Sequence, residues 1–307
     1  MRLASFLLLF GLSLAAHAQA QGDELGVRYW YSEGKTTRSH NAQFLVASLG
    51  NPTSVLTWED LKAHSLELHG RKNFAGGTSG WYLKGYAGFG AIKSGSLDDE
   101  DFFAGQRKFS DTTSAVKGDS LNFASVDLGT DVWRFRNGRA GVFIGYHFWK
   151  EAVDANGVVV TVPRPIPPDD GRRISDSVLV IGNEVTWQSL RVGFAGQWNV
   201  SPPTRITLDA ALVPHARVRA EDSHFLRQSS NDLGPVPNVH SKGDGYGFQL
   251  DFELRHEVQR DWEIGAGLRY WWLRARDGEH QQAGLNLQLL ELESQRFGLT
   301  LSVTHRW

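Results

Sequence analysis

The chain has 307 residues and a formal net charge of −2. That balance argues against a nucleic-acid binder, which would carry a basic patch or a high pI. There is no cysteine, which excludes a disulfide framework, a thiolate metal site and a cysteine nucleophile.

The first segment reads "MRLASFLLLFGLSLAAHAQAQ". Arg2 is a minimal positive n-region, Phe6 to Leu14 is an apolar core too short to span a bilayer, and small-residue cleavage sites end at Ala18 and Ala20. Residues 1–20 read as a bacterial secretory signal peptide and residues 21–307 as one domain. Beyond it no apolar run is long enough for a transmembrane helix, and the mean hydropathy is −0.33.

Taken alone, those features suggest a soluble secreted protein, but the periodicity points elsewhere. A first strand is expected over 25–38. In "GWYLKGYAGFGAI" the positions Trp81, Leu83, Ala87, Phe89 and Ala91 oppose Tyr82, Lys84 and Tyr86. Further along, Ala124, Val126, Leu128 and Val132 oppose Ser125, Asp127 and Asp131, and Val142, Ile144, Tyr146 and Phe148 oppose Gly145 and His147. Ile206, Leu208, Ala210 and Leu212 oppose Thr207, Asp209, His215 and Arg217; Phe248, Leu250, Phe252 and Leu254 oppose Gln249, Asp251, Glu253 and Arg255. This is period two, the signature of strands.

Short connectors at 135–139, 199–204 and 258–261 alternate with long ones at 95–118, 151–183, 221–243 and 275–289. Short turns on one rim and long loops on the other characterise an outer-membrane barrel. The last strand, "FGLTLSVTHRW", alternates up to a terminal aromatic, Trp307, and the 11 tryptophans suit the membrane interfaces. The expected fold is all-β: an antiparallel transmembrane barrel of about ten strands, both termini periplasmic, the long loops extracellular. A soluble periplasmic sandwich would alternate too, but would bury the apolar parity.

In a barrel of this size side chains fill the lumen. Glu67, His69, Arg71, Lys84, Asp127, Asp131, Arg191, Asp251, Glu253, Arg255 and Arg269 are expected to point into it, with His215 and Arg217 among them. Buried charges must pair, so the interior reads as an ion-pair network and not as a pore. His64 and His69 read as structural, and His147 and Trp149 as inward-facing below the rim.

Two polar elements fall on the long-loop rim. "GSLDDEDFF" (95–103) holds Asp98, Asp99, Glu100 and Asp101 before two aromatics; "RAEDSHFLR" (219–227) holds Asp222 two residues before His224, followed by Phe225. A run of acids is usually only a solvated face. A calcium site there lacks the loop spacing of known motifs, and no metal is expected. Strict alternation from Leu212 places Asp222 and His224 on the lipid-facing parity, so a bulge or a strand end near Arg219–Glu221 is required to turn them inward.

The chain resembles the omptin family of outer-membrane proteases. "DDEDF" (98–102) matches the family's Asp-x-Asp with a following aromatic, and "EDSHF" (221–225) its Asp-x-His, each in the corresponding loop. "SEGKTTR" (32–38), "SVLTW" (54–58) and "GVFIGYHF" (141–148) extend the likeness over most of the mature chain. The resemblance implies a ten-stranded barrel and an aspartyl-type endopeptidase whose catalytic residues are Asp99, Asp101, Asp222 and His224. The chemistry of these side chains agrees. Hydrolysis through a bound water needs a base that titrates near neutrality, as histidine does. It also needs an acid to hold the base's other ring N–H, and carboxylates to position the water.

The departures concern specificity. Omptins hold a basic residue before the cut with two acids, and Arg38 and Ala220 stand at those positions; Glu221 is adjacent but of the wrong parity. A cation beside Arg38 would be repelled, so the subsite is expected to favour a neutral or acidic residue. Omptins depend on lipopolysaccharide bound outside the barrel. Tyr146 and Lys150 match parts of that site, while Phe148 replaces an acid. The resemblance therefore implies no cofactor beyond a requirement for lipopolysaccharide, and as partners the outer-membrane lipid and an extracellular peptide or protein. The chain is expected to be a monomer. The competing reading is a non-catalytic outer-membrane barrel, an adhesin or a structural protein.

Overall fold

The computed structural model describes residues 22–74, 80–162 and 173–307. The expected signal peptide, 1–20, and part of the expected long connector 151–183 lie outside the described residues. The strands are β1 (Glu24–Asn41), β2 (Ser54–Asn73), β3 (Gly80–Phe103), β4 (Arg107–Val116), β5 (Asp119–Phe135), β6 (Gly138–Val162), β7 (Ile174–Ser201), β8 (Thr204–His224), β9 (Val239–Gln259), β10 (Trp262–Gln282) and β11 (Leu285–Arg306).

All pairings are antiparallel. Each strand from β5 to β11 pairs with the next, β11 closes on β1, β1 pairs with β2 and β2 with β3. β4 and β5 are two halves of one stave: β3 pairs with β5 below and β4 above, and β6 does the same on the other side. The break between them falls at Lys117 and Gly118, where Gly118 has φ 123°. Eleven strands thus make the ten staves that the periodicity leads one to expect.

Short turns at 136–137, 202–203 and 260–261 lie on one rim, together with the paired termini, where the Gly22 N–H donates to the Trp307 carbonyl at 3.2 Å and the Trp307 N–H donates to the Asp23 carbonyl at 3.2 Å. The opposite rim differs from expectation. The stretch 95–118 is not a loop but a paired hairpin with a three-residue tip at 104–106, and 275–289 is a hairpin with a tip at 283–284. The strands simply continue. A strand of 20 residues, such as β2, climbs roughly 50 Å at ~3.3 Å per residue and ~40° tilt, about twice the ~25 Å apolar band of such barrels. The outward faces agree: Leu25, Val27, Tyr29 and Tyr31 occupy the lower part of β1, and Glu33 and Lys35 follow above.

The lumen is filled in three levels. Lowest is the ion-pair network. Arg28 bonds Glu67 (2.9 Å) and Glu253 (3.3 Å), Arg255 bonds Glu24 (2.8 Å) and Glu253 (2.6 Å), and Arg205 bonds Glu24 (2.9 Å) and Glu263 (2.6 Å). Arg71 bonds Asp131 at 2.7 Å, and Arg191 bonds Asp209 at 2.7 Å. Arg269, with no exposed surface, bonds Glu67 at 2.6 Å and Asp251. A cavity of about 110 Å³ remains among these groups. Above them an aromatic layer packs Trp30, Tyr86, Phe123, His147 and Trp149 around Trp271. Higher still is an apolar core that includes Leu56, Trp58, Leu97, Val153, Val185, Trp187, Val218 and Leu292.

The inward parity is not constant along the staves. On β2 it is Ser54, Leu56 and Trp58 above and Leu61, Ala63 and Ser65 below, with Asp60 at φ 53° between. On β3 it passes from Tyr82 and Ile92 to Leu97, and the β4–β5 break shifts it from Val116 to Leu121. On β8 the register slips between Val213 and Ala216, so Ala211 and Val213 are followed inward by Ala216, Val218, Ala220 and Asp222. This bulge overturns one expectation. His215 and Arg217 do not join the lumen network; they lie on the outer surface beside Asp244, at 3.9 and 3.7 Å, with side chains 52% and 60% exposed.

Glu67→Ala leaves Arg28 and Arg269 facing no common acid, and should destabilise the barrel by about 3–5 kcal/mol, measured as urea-induced unfolding in detergent. Replacing Trp307 with aspartate should reduce the yield of assembled, heat-modifiable barrel, because it puts a charge in place of an exposed terminal ring, stacked on His305, that suits the membrane interface.

Candidate functional site

The acid run is split by the pleat of β3. Asp99 and Asp101 lie opposite Leu56 and Ser54 of β2 and opposite Thr112 and Ser110 of β4, where Leu56, Ser54 and Ser110 are buried. Paired positions share a face, so these two acids look inward. Asp98 and Glu100 look outward: Thr113 Oγ1 donates to Asp98 at 2.8 Å, and Lys108 bridges Glu100 and Asp111. Four consecutive acids are tolerable because the strand sends alternate charges to opposite faces, Lys108 neutralises Glu100 and the Thr113 hydroxyl holds Asp98. Phe102 continues the strand, its N–H donating to Thr53 O at 2.8 Å.

The parity switch in β8 turns Asp222 and His224 inward on the same rim. Asp222 is fully buried, and its Oδ2 lies 3.8 Å from His224 Nε2. The Asn238 side chain accepts the His224 backbone N–H at 3.0 Å, fixing the strand end. Asp222 Oδ2 also takes a hydrogen bond from Arg38, which crosses the lumen from β1; among the described residues Asp222 Oδ1 has no hydrogen-bond partner. Burial alone would raise the Asp222 carboxyl, but Arg38 and then His224 outweigh it and hold it well below the usual carboxylate range.

Two further histidines belong to this cluster. His40, two residues above Arg38, and His280 of β10 are buried and stacked, with centroids 4.3 Å apart and planes 7° apart. Ser241 Oγ lies 2.9 Å from His280 Nδ1. Burial, the neighbouring His280 and Arg38 push His40 down to about 2; burial and Arg38 push His280 down to about 4. Both rings are neutral at ordinary pH. His40 shares the parity of Arg38 and was within reach of sequence reasoning. His280 was not, because the register slips between Ala275 and Glu279.

The loop that follows His224 reaches toward the acid pair. Arg227 bonds Asp232 through two nitrogens at 2.6–3.1 Å, and its charge also feels Asp101 and Asp99. Its backbone N–H donates to His224 O at 3.1 Å, so one short segment connects the two carboxylate elements.

The remaining sequence-predicted residues lie apart from the cluster. Glu221 faces outward near His240, while Ala220 is buried beside the dyad. Tyr146 and Lys150 lie on the outer face of β6, where Lys150 bonds Glu184 at 2.7 Å. His147 and Trp149 lie in the aromatic layer and not at the rim.

No family model matches the sequence, and no curated protein is similar to it in sequence. Among solved structures the outer membrane protease OmpT from Escherichia coli aligns with 96% of this chain and 99% of that chain, with a TM-score of 0.72 and 11% identity. The translocator domain of the autotransporter NalP from Neisseria meningitidis covers 98% of this chain and 92% of its own, at a TM-score of 0.39 and 9% identity. Ail from Yersinia pestis covers 92% and 99%, at 0.27 and 9%. The first of these extends the omptin resemblance from two short motifs to the whole fold; at 11% identity it carries the fold alone.

The buried histidines make the rim acid-sensitive. His280 has its ordinary pKa near 6.5 when unfolded and about 4 when folded. Below pH 6.5 the unfolded state binds the proton and the folded state does not, so stability is full above pH 6.5 and falls as pH drops toward 4. His280→Phe should flatten this loss, up to about 3 kcal/mol, read as hydrogen exchange of the upper halves of β1 and β10 between pH 7 and pH 4.

Proposed function

We propose that this protein is an omptin-like endopeptidase of the bacterial outer membrane, with its site on the extracellular rim and no metal or organic cofactor. The observation that carries the reading is the double change of parity. Independent irregularities in β3 and β8 turn Asp99 and Asp101, and Asp222 and His224, to the inside of the same rim.

Water held by Asp99 and Asp101 attacks the peptide carbonyl while His224 removes its proton. With Nε2 facing Asp222, Nδ1 is the atom free to act as the base. Asp222 holds the ring's orientation and stabilises the imidazolium as it forms. His224 then returns the proton to the leaving amine. Lipopolysaccharide against the outer face near Tyr146 and Lys150 supports the active form, and the protein works as a monomer on an extracellular peptide or protein.

The hydrogen bond between Arg38 and Asp222 favours a second reading, a non-catalytic barrel serving as an adhesin or structural protein, because the acid of the dyad is engaged elsewhere. A peptide-library digest with purified, lipopolysaccharide-supplemented protein separates the two. Under the peptidase reading, His224→Ala and Asp99→Ala each reduce the rate by about 10²–10⁴-fold while the barrel stays folded. Chelators and serine-directed inhibitors leave the rate unchanged. Loss of activity in EDTA with recovery on adding metal would rule out the carboxylate mechanism, and no cleavage at all would favour the second reading.

A further inference from the structure

The dyad is engaged by a residue of its own chain. Arg38 and Asp222 are on strands that are not neighbours, β1 and β8, and their side chains are 5% and 0% exposed. The oxygen that Arg38 holds, Oδ2, is the one that faces His224, and at 3.8 Å the imidazole is beyond hydrogen-bond reach of it. Among the described residues the second oxygen of Asp222 has no hydrogen-bond partner. The carboxylate is therefore turned to the guanidinium, and at 3.8 Å its hold on the imidazole is the weaker of the two.

Arg38 cannot leave Asp222 without a replacement. Among the described residues it makes no other ion pair. Besides Asp222, the histidines His40, His280 and His224 share this cluster with it, and none of them can supply a negative charge. An unpaired guanidinium in this wall is strongly unfavourable, so the bridge opens only when another anion reaches Arg38. His224, 12% exposed, is the most open member of the cluster and marks the way in.

We propose that the Arg38–Asp222 bridge is a latch on the peptidase site, released when an acidic side chain of the substrate takes over the Arg38 guanidinium. The exchange replaces one carboxylate by another on the same fork, so the cation stays paired throughout. Asp222 is then free to accept His224 Nε2–H, and the base is oriented only while such a substrate is bound. Arg38 is a positioning residue in this scheme, and it selects for glutamate or aspartate near the scissile bond. A basic residue there would add a second cation beside Arg38 and leave the latch closed. This inference rests on the peptidase reading.

Matched peptides that differ only by Glu against Gln near the scissile bond test it, with folding checked by heat-modifiable mobility. Wild-type kcat/KM should favour the Glu peptide by about tenfold or more, the scale of one charge-assisted hydrogen bond. In Arg38→Gln the ratio should fall toward one while cleavage of the Gln peptide rises; Arg38→Lys, which keeps the charge without the fork, should retain part of the preference. A ratio unchanged in folded Arg38→Gln, with both peptides still cleaved, overturns the latch and leaves the peptidase standing. Failure of every variant to cleave either peptide overturns both. If Arg38→Gln does not fold, binding decides: the inactive His224→Ala protein should hold the Glu peptide about tenfold more tightly than the Gln peptide, and equal affinities overturn the latch.

Discussion

Arg269 has no contact with water, and much of the interior follows from what a charge in that position requires. A guanidinium does not lose its proton, so it must be met by carboxylates from other staves. Glu67 and Asp251 supply them, Glu67 also meets Arg28, Arg28 meets Glu253, and Glu253 meets Arg255. The chain of partners crosses the lumen and ties together strands far apart in sequence. The same rule operates at the rim, where buried Arg38 finds its acid in Asp222. A plug at the bottom and a bridge at the top are two answers to one requirement, and only the second touches residues able to do chemistry.

Period-two alternation made most of the barrel legible. Glu67, Arg71, Asp127, Arg191, Glu253, Arg255 and Arg269 all stand on the parity opposite to an apolar series, and all are buried in the lumen. Alternation fails where a residue is inserted. His215 and Arg217 sit on the inward parity of lower β8, yet lie outside because the register slips next to them. Nothing in "LVPHARV" announces the slip except Pro214, which also suits an ordinary strand edge. Asp60 and Asp277 are similar, since an aspartate at positive φ is readable only once the backbone is known.

The candidate site was partly legible for the same reasons. Asp-x-Asp and Asp-x-His survive as local spacings, and local spacing is what a sequence displays. That Arg38 reaches Asp222 is a contact across the lumen between β1 and β8, and no spacing encodes it. The stacked pair His40 and His280 is hidden likewise. A fold shared with OmpT at 11% identity fits this division. Closing ten staves demands a pattern of apolar and polar parity, which many sequences satisfy, whereas the rim demands individual residues.

The slips in β2, β3, β8 and at the β4–β5 break give the barrel something like a reading frame of two. These staves are read in one frame where they meet lipid and in the other where they form the rim, whereas β1 keeps a single frame from Glu24 to His40, and the slip is the place where the frame changes. Substitutions leave a frame intact. A one-residue insertion or deletion between Ala216 and Asp222 would not: it would carry the dyad to the outside while the lipid-facing half went on reading correctly. Change in length, not change in side chain, is then the mutation that the upper barrel withstands least. A lineage of such proteins should vary freely in composition around the rim while keeping the residue count between each slip and its site.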